Sequence, residues 1–147
     1  MDKNYSRILL TFFYTGYLPA PGTFASLFTM LLLLWFPFDL ILRFLFFLLI
    51  CFVGFYLCYK YSQRPTLGED PGVIVIDEVV GMGVCVLFIE PNFSLYFICF
   101  LLFRFLDILK PSFIYDSQFC SNGVGIMLDD IICGLIVMVG MGAALNL

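Results

Sequence analysis

The sequence predicts an all-α fold, a polytopic membrane helix bundle with about four to five apolar helical segments, and three observations carry that expectation. Hydrophobic residues make up 63% of the 147-residue chain and charged residues 12%, too little polar surface to cover a water-soluble domain of this length. Apolar runs recur at about residues 23 to 36, 38 to 58, 73 to 89, 93 to 109 and 124 to 147. Each approaches the roughly 20 residues that a spanning helix needs. Pro37, Pro91 and Pro111 each follow an apolar run, and a residue with no N–H to donate favours a turn there.

Taken in order, the first run is the shortest, and its length alone leaves full crossing open. PAPGTFAS (19 to 26) leads into it and has the look of a helix N-terminus. Its backbone N–H groups and the Thr23 and Ser26 hydroxyls suit either ordinary capping or an anion. The second run carries Asp39 and Arg43 at i,i+4 spacing, a structural pair in which the arginine head snorkels toward the outer interface. KYSQRPTLGEDPG, residues 60 to 72, is the most polar loop. The third run opens on VIDEVVGMG, the fourth closes on FRFLDILKP, and the fifth opens on SNGVGIMLDD. No Ser/Gly-rich linker, charge block or low-complexity tract divides the chain, so residues 1–147 are expected to form a single membrane-embedded domain.

Orientation follows from the bases. Lys3 and Arg7 precede the first run, Lys60 and Arg64 follow the second, and Lys110 follows the fourth, which puts those ends on the cytoplasmic side of a multi-pass protein. The starts of the first, third and fifth runs and the end of the fourth then share one face.

Several function classes fall away. The net charge is −4 and the seven Lys and Arg residues are scattered, so there is no stripe for nucleic acid. The absence of histidine removes Ser-His-Asp hydrolysis, phosphohistidine chemistry and His-ligated zinc. The six cysteines are single, lack any Cys-x-x-Cys pairing, and fit small core thiols better than a metal or disulfide framework. Cys58 and Arg64 match the Cys-x5-Arg spacing of thiol phosphatases, but the intervening YKYSQ has no glycine to cradle phosphate.

What gathers on the shared face is acidic. A charged side chain at a helix centre costs about 2.5 to 3.5 kcal/mol on the insertion scale, so carboxylates kept in these segments need compensation. Asp77, Glu78, Asp107, Asp129 and Asp130 offer only hard oxygen ligands, which suits Mg²⁺ over softer metals. The bland alternative pairs them with Arg104 and Lys110. Arg104, Asp107 and Lys110 recur at i,i+3, an arrangement that serves either to hold a phosphate beside a metal or as an intrahelical ladder. Asp77 is followed one turn later by Gly81, and Asp130 by Gly134, so each acid shares a face with a residue that permits close helix approach. SNGVG, with Asn122, Gly123 and Gly125, is a turn that can expose backbone amides.

These residues carry a resemblance to bacterial phosphatidylglycerophosphatase A, a small Mg²⁺-dependent membrane lipid phosphatase. Four motifs in order make the match: PGTFAS, DEVVGM, FRFLDILKP followed after one residue by FI, and GVGIMLDDIICG, spanning about residues 19 to 134. The chain departs from the family pattern at Ala25 (often Gly), Ile76 (often aromatic) and Phe113 (often proline). The resemblance implies hydrolysis of phosphatidylglycerophosphate to phosphatidylglycerol and inorganic phosphate at the cytoplasmic side of the bacterial inner membrane. It implies Asp77, Glu78, Arg104, Asp107, Lys110, Asp129 and Asp130 as site residues. On that reading Asp77, Asp107, Asp129 and Asp130 hold one or two Mg²⁺ ions, and Glu78 is the base or another ligand. Arg104 and Lys110 would neutralise the phosphate, with Thr23, Ser26 and the amides from Asn122 to Gly125 assisting. Direct water attack and an aspartyl-phosphate route both fit these residues. An intramembrane cation transporter or proton relay is the competing class, expected to spread its acids through bilayer depth; a non-catalytic lipid-binding subunit is the third.

Overall fold

The computed structural model describes residues 3–36, 39–63, 71–110 and 124–146. Among them the chain is all-helical, with six α-helices: α1 (Lys3–Leu10), α2 (Pro21–Trp35), α3 (Leu40–Ser62), α4 (Ile76–Cys85), α5 (Phe93–Leu109) and α6 (Val124–Leu145). Short 3-10 turns at Thr15–Tyr17 and Pro71–Val73 precede α2 and α4. Two helices, α3 and α6, are long and apolar enough to cross a bilayer, and α2 is a shorter apolar helix.

The helix starts follow local chemistry. Proline occupies the first turn of α2, where its missing N–H costs nothing. Asp39 caps α3 by accepting from the Leu42 N–H at 2.8 Å, and Asn92 caps α5 by accepting from Ser94 and Leu95. No side chain caps α2, whose N-cap residue is Ala20 in the left-handed region.

At the centre lies α4. It packs against α2, α3, α5 and α6, and Ile76, Val79, Val80, Gly81, Met82, Val84 and Cys85 are all buried. Its ten residues rise only about 15 Å. The run at 73 to 89, which reads as a crossing segment by apolarity, is therefore a short helix enclosed by protein. Its far end is closed by Arg43. The guanidinium Nη1 of that residue donates to the carbonyls of Val86, Leu87 and Ile89 at 3.3, 3.3 and 2.7 Å. These carbonyls belong to the turn that follows α4, and the guanidinium ties that turn to α3.

The outer helices present hydrocarbon outward. On α3 the apolar side chains Ile41 and Phe52 are 71% and 74% exposed, which water would penalise and lipid does not. Cys58, Cys85, Cys99 and Cys133 are buried free thiols and Cys51 is half-buried, as expected for core residues, while Cys120 lies outside the described residues. Cys58 faces a cluster with Ala25, Leu57 and Met127, no setting for a phosphate loop.

Candidate active site

Four of the described helix ends meet. The start of α2 meets α4 and α5 at Gly22: a Cβ there would overlap the Glu78 carboxylate and lie 3.0 Å from Nη1 of Arg104. The end of α5 meets the start of α6 where Lys110 Nζ donates to Asp129 Oδ2 at 2.6 Å. The start of α4 is tied back to α1 by the Val75 N–H, which donates to the Leu10 carbonyl at 2.9 Å.

Within that junction the five carboxylates divide into two sets. Ligand oxygens of Asp77, Glu78 and Asp130 all lie within 4.8 Å of one another. They come from adjacent positions at the start of α4 and from the first third of α6. Asp107 and Asp129 are instead engaged with cations. Asp107 Oδ2 lies 2.7 Å from Arg104 Nη1 and its Oδ1 lies 3.6 Å from Lys110 Nζ, while Lys110 bridges on to Asp129. Asp107 borders both sets, near enough to Asp130 for their charges to interact. The i,i+3 spacing of Arg104, Asp107 and Lys110 thus makes the intrahelical ladder, and Lys110 extends it to a second helix.

Lys110 ends α5 in the left-handed region, with φ of 37°, a conformation that glycine usually takes at a helix end. That turn directs Nζ toward α6. Burial alone would lower the Lys110 pKa, but the hydrogen bond and charge of Asp129, with Asp107 and Asp130 behind it, hold it above the ordinary lysine value of 10.5. It is a fixed cation.

The inner oxygens Asp77 Oδ1, Glu78 Oε2 and Asp130 Oδ2 are buried and have no hydrogen-bond donor among the described residues. Three carboxylates so close, with no salt-bridge partner among the described residues, repel one another in a medium that screens poorly. Their oxygens are the hard donor set of a divalent cation such as Mg²⁺, and these residues fit such an ion. Arg104 is the complementary case. Its Nε and Nη1 are buried without an acceptor aligned for a hydrogen bond among the described residues, although Nη1 is an ion-pair distance from Asp107. The guanidinium is held by charge yet retains donors for an anion.

Other sequence-derived candidates are placed differently. Ser26 is buried and its hydroxyl donates to the Gly22 carbonyl at 2.7 Å, bracing the first turn of α2. Thr23 is half-buried on the same turn, and Gly125 is buried at the start of α6. Asn122 and Gly123 lie outside the described residues. The residue that sequence reasoning missed is Gly22; the signal was the glycine of PGTFAS, which reads as turn chemistry until Glu78 and Arg104 are seen against it.

These features define an all-helical membrane protein with a carboxylate and cation cluster at one shared end of its bundle. The chain belongs to the phosphatidylglycerophosphatase A family, whose family model matches residues 8–145. It is 40% identical over 126 residues to "Phosphatidylglycerophosphatase A" of Haemophilus influenzae, covering 82% of this chain and 76% of the relative. It is 33% identical over 143 residues to the protein of the same name from Escherichia coli K12, covering 91% and 80%. A "Putative phosphatidylinositol-3-phosphatase" of Bacteroides thetaiotaomicron is 32% identical over 133 residues, covering 85% and 84%. No solved structure matches. The resemblance carried by the four motifs is therefore borne out.

Proposed function

We propose that this protein is a lipid phosphatase of the bacterial inner membrane that converts phosphatidylglycerophosphate to phosphatidylglycerol and inorganic phosphate, with its site on the cytoplasmic side. The observation that carries the proposal is the convergence of Asp77, Glu78 and Asp130 from two helices, beside Arg104 and Lys110. The family's curated relatives, named for this activity, support it.

In this reading Asp77, Glu78 and Asp130 hold Mg²⁺, with Asp107 bordering the site. When bound, that ion supplies Lewis-acid polarisation of the phosphoryl group and lowers the pKa of a water molecule. The protein's own residues supply the rest. Arg104 and Lys110 exchange part of their carboxylate contacts for phosphate oxygens, offsetting the charge that builds there. The Glu78 carboxylate oxygen not engaged with the ion would accept a proton as the water oxygen bonds to phosphorus. The ester P–O bond breaks, and the glycerol oxygen takes the proton that Glu78 accepted and leaves as an alcohol. Gly22 lets the first turn of α2 close against Glu78 and Arg104, which keeps base and cation in register.

The transporter reading is weaker because Asp77, Glu78, Asp107, Asp129 and Asp130 form one cluster rather than a file through the bundle. Purified protein in mixed micelles should release phosphate from phosphatidylglycerophosphate with Mg²⁺ and stop with EDTA. Phosphatidylinositol 3-phosphate, the substrate class in the name of the Bacteroides relative, is the comparison. Preference for it would replace the proposed substrate, and release from neither would remove the phosphatase reading.

A further inference from the structure

An apolar cavity of about 450 Å³ lies between α1, α2, α3 and α4. Protein interiors hold few voids larger than a water molecule, and this volume falls in the roughly 300–1,000 Å³ range of ligand pockets. On α4 the lining residues Ile76, Val79, Val80 and Gly83 recur at helical spacing, on a different face from the one that carries Glu78 and Gly81. The cavity is thus separate from the carboxylate site, yet it touches the helix that holds two of the three clustered acids.

Its occupant is constrained by what the walls offer. The two polar side chains on the lining are already engaged: the Thr29 hydroxyl donates to the Ala25 carbonyl at 2.8 Å, and Arg43 donates to the carbonyls beyond α4. The remaining walls are hydrocarbon. Phe46 and Leu49 of α3 line the cavity and are also exposed at the surface, so it opens sideways, continuous with the lipid-facing flank of α3. In a membrane-embedded chain the exposed apolar flank of α3, a helix long enough to cross a bilayer, faces hydrocarbon.

We infer that this cavity is a binding site for one acyl chain of a bilayer phospholipid, which enters between α2 and α3 and supports α4 from the side away from the acids. The bound chain replaces the side chains that a well-packed core would place there. Nothing in the inference depends on the reaction at the carboxylates, so its test does not use turnover.

Phosphatidylcholine with a photoreactive diazirine midway along one chain, reconstituted with the full protein, is expected to label Phe47, Ile50 or Val79 in preference to the more exposed Phe52. Gly83→Leu should abolish the cavity label while Phe52 labelling persists, because a Cβ at Gly83 meets nothing closer than Phe47 at 3.7 Å and a longer side chain has room to grow inward. In parallel, adding long-chain phospholipid to delipidated protein should raise its thermal midpoint, and Gly83→Leu should remove that shift. If Gly83→Leu does not fold, Ile50→Trp fills the space from the α3 wall and serves the same comparison. Label distributed by exposure alone, or cavity labelling that survives both substitutions, would overturn the inference. So would photocrosslinks that join two copies of the chain through this groove, since the occupant would then be protein.

Discussion

Gly81 on α4 and Gly134 on α6 face each other so closely that a methyl group on Gly134 would lie 2.5 Å from the Gly81 carbonyl oxygen. The reciprocal contact is as tight: a Cβ on Gly81 would lie 2.8 Å from the Asp130 carbonyl and 2.6 Å from the Phe103 ring. Each glycine follows, by one turn, an acid of the three-carboxylate cluster. The approach that brings the helices together is therefore also what brings Asp77 and Asp130 together.

Substitution tests that link directly. Alanine in place of a helical glycine normally gains about 1 kcal/mol from propensity, but forcing a methyl against backbone costs typically about 1–3 kcal/mol. Gly134→Ala and Gly81→Ala should therefore lower the thermal midpoint in detergent and reduce activity together. Gly140→Ala, where a Cβ meets nothing within 4 Å, should be neutral or slightly stabilising in the same assay.

Gly22→Ala should separate activity from stability. The atoms in the way are the ends of the Glu78 and Arg104 side chains, which can move without unfolding the bundle. Displacement by about 1 Å can cost on the order of 10²-fold in rate, so kcat should fall by about that much while the melting curve stays near wild type. Equal rates for Gly22→Ala and wild type would show that this contact does not position the site.

The Lys110 to Asp129 pair yields a coupled prediction. Removing one member of a buried pair strands the other charge and typically costs about 3–5 kcal/mol, an upper figure here because Lys110 is 30% exposed. Lys110→Met should lower both stability and activity. The double variant Lys110→Met with Asp129→Asn should recover much of the stability and none of the activity. Thermal unfolding and phosphate release on the same preparations check both halves.

Arg43 makes a prediction far from the site. Arg43→Met removes a donor shared by the carbonyls of Val86, Leu87 and Ile89. Val86 keeps the Ile89 N–H and Ile89 the Tyr96 hydroxyl, so the loss falls chiefly on Leu87, at about 1–3 kcal/mol for an unmet buried group. Asp39→Ala removes one cap bond and should cost about 1 kcal/mol. A larger loss for Asp39→Ala than for Arg43→Met would contradict the role given to Arg43 in closing α4.

Much of this was legible in residues alone. Apolar runs located α2, α3, α5 and α6 because lipid-facing and bundle-facing positions are both hydrocarbon, and the Gly81 and Gly134 echo pointed to the close approach. The same physics hid the length of α4, since residues buried in protein look like residues buried in lipid. Spacing could suggest an Asp39 to Arg43 pair, but not that the Arg43 guanidinium reaches carbonyls more than forty residues away. The five acids were visible as a group. Their division was not, because it depends on which ones Arg104 and Lys110 reach once α5 and α6 are packed. Asn122 and Gly123 lie outside the described residues, so their expected amide contacts are not part of this geometry.

On the proposed function, Asp77, Glu78 and Asp130 hold the ion while Asp107 and Asp129 hold the cations. The direct measurement is phosphate release from phosphatidylglycerophosphate over a Mg²⁺ titration, for Asp77→Asn, Glu78→Gln, Asp130→Asn and Asp129→Asn. The first three should need far more Mg²⁺ for half-maximal rate, or show no rate at all, whereas Asp129→Asn should chiefly raise KM for the lipid. Wild-type rates and wild-type Mg²⁺ dependence for Asp130→Asn would contradict the assignment.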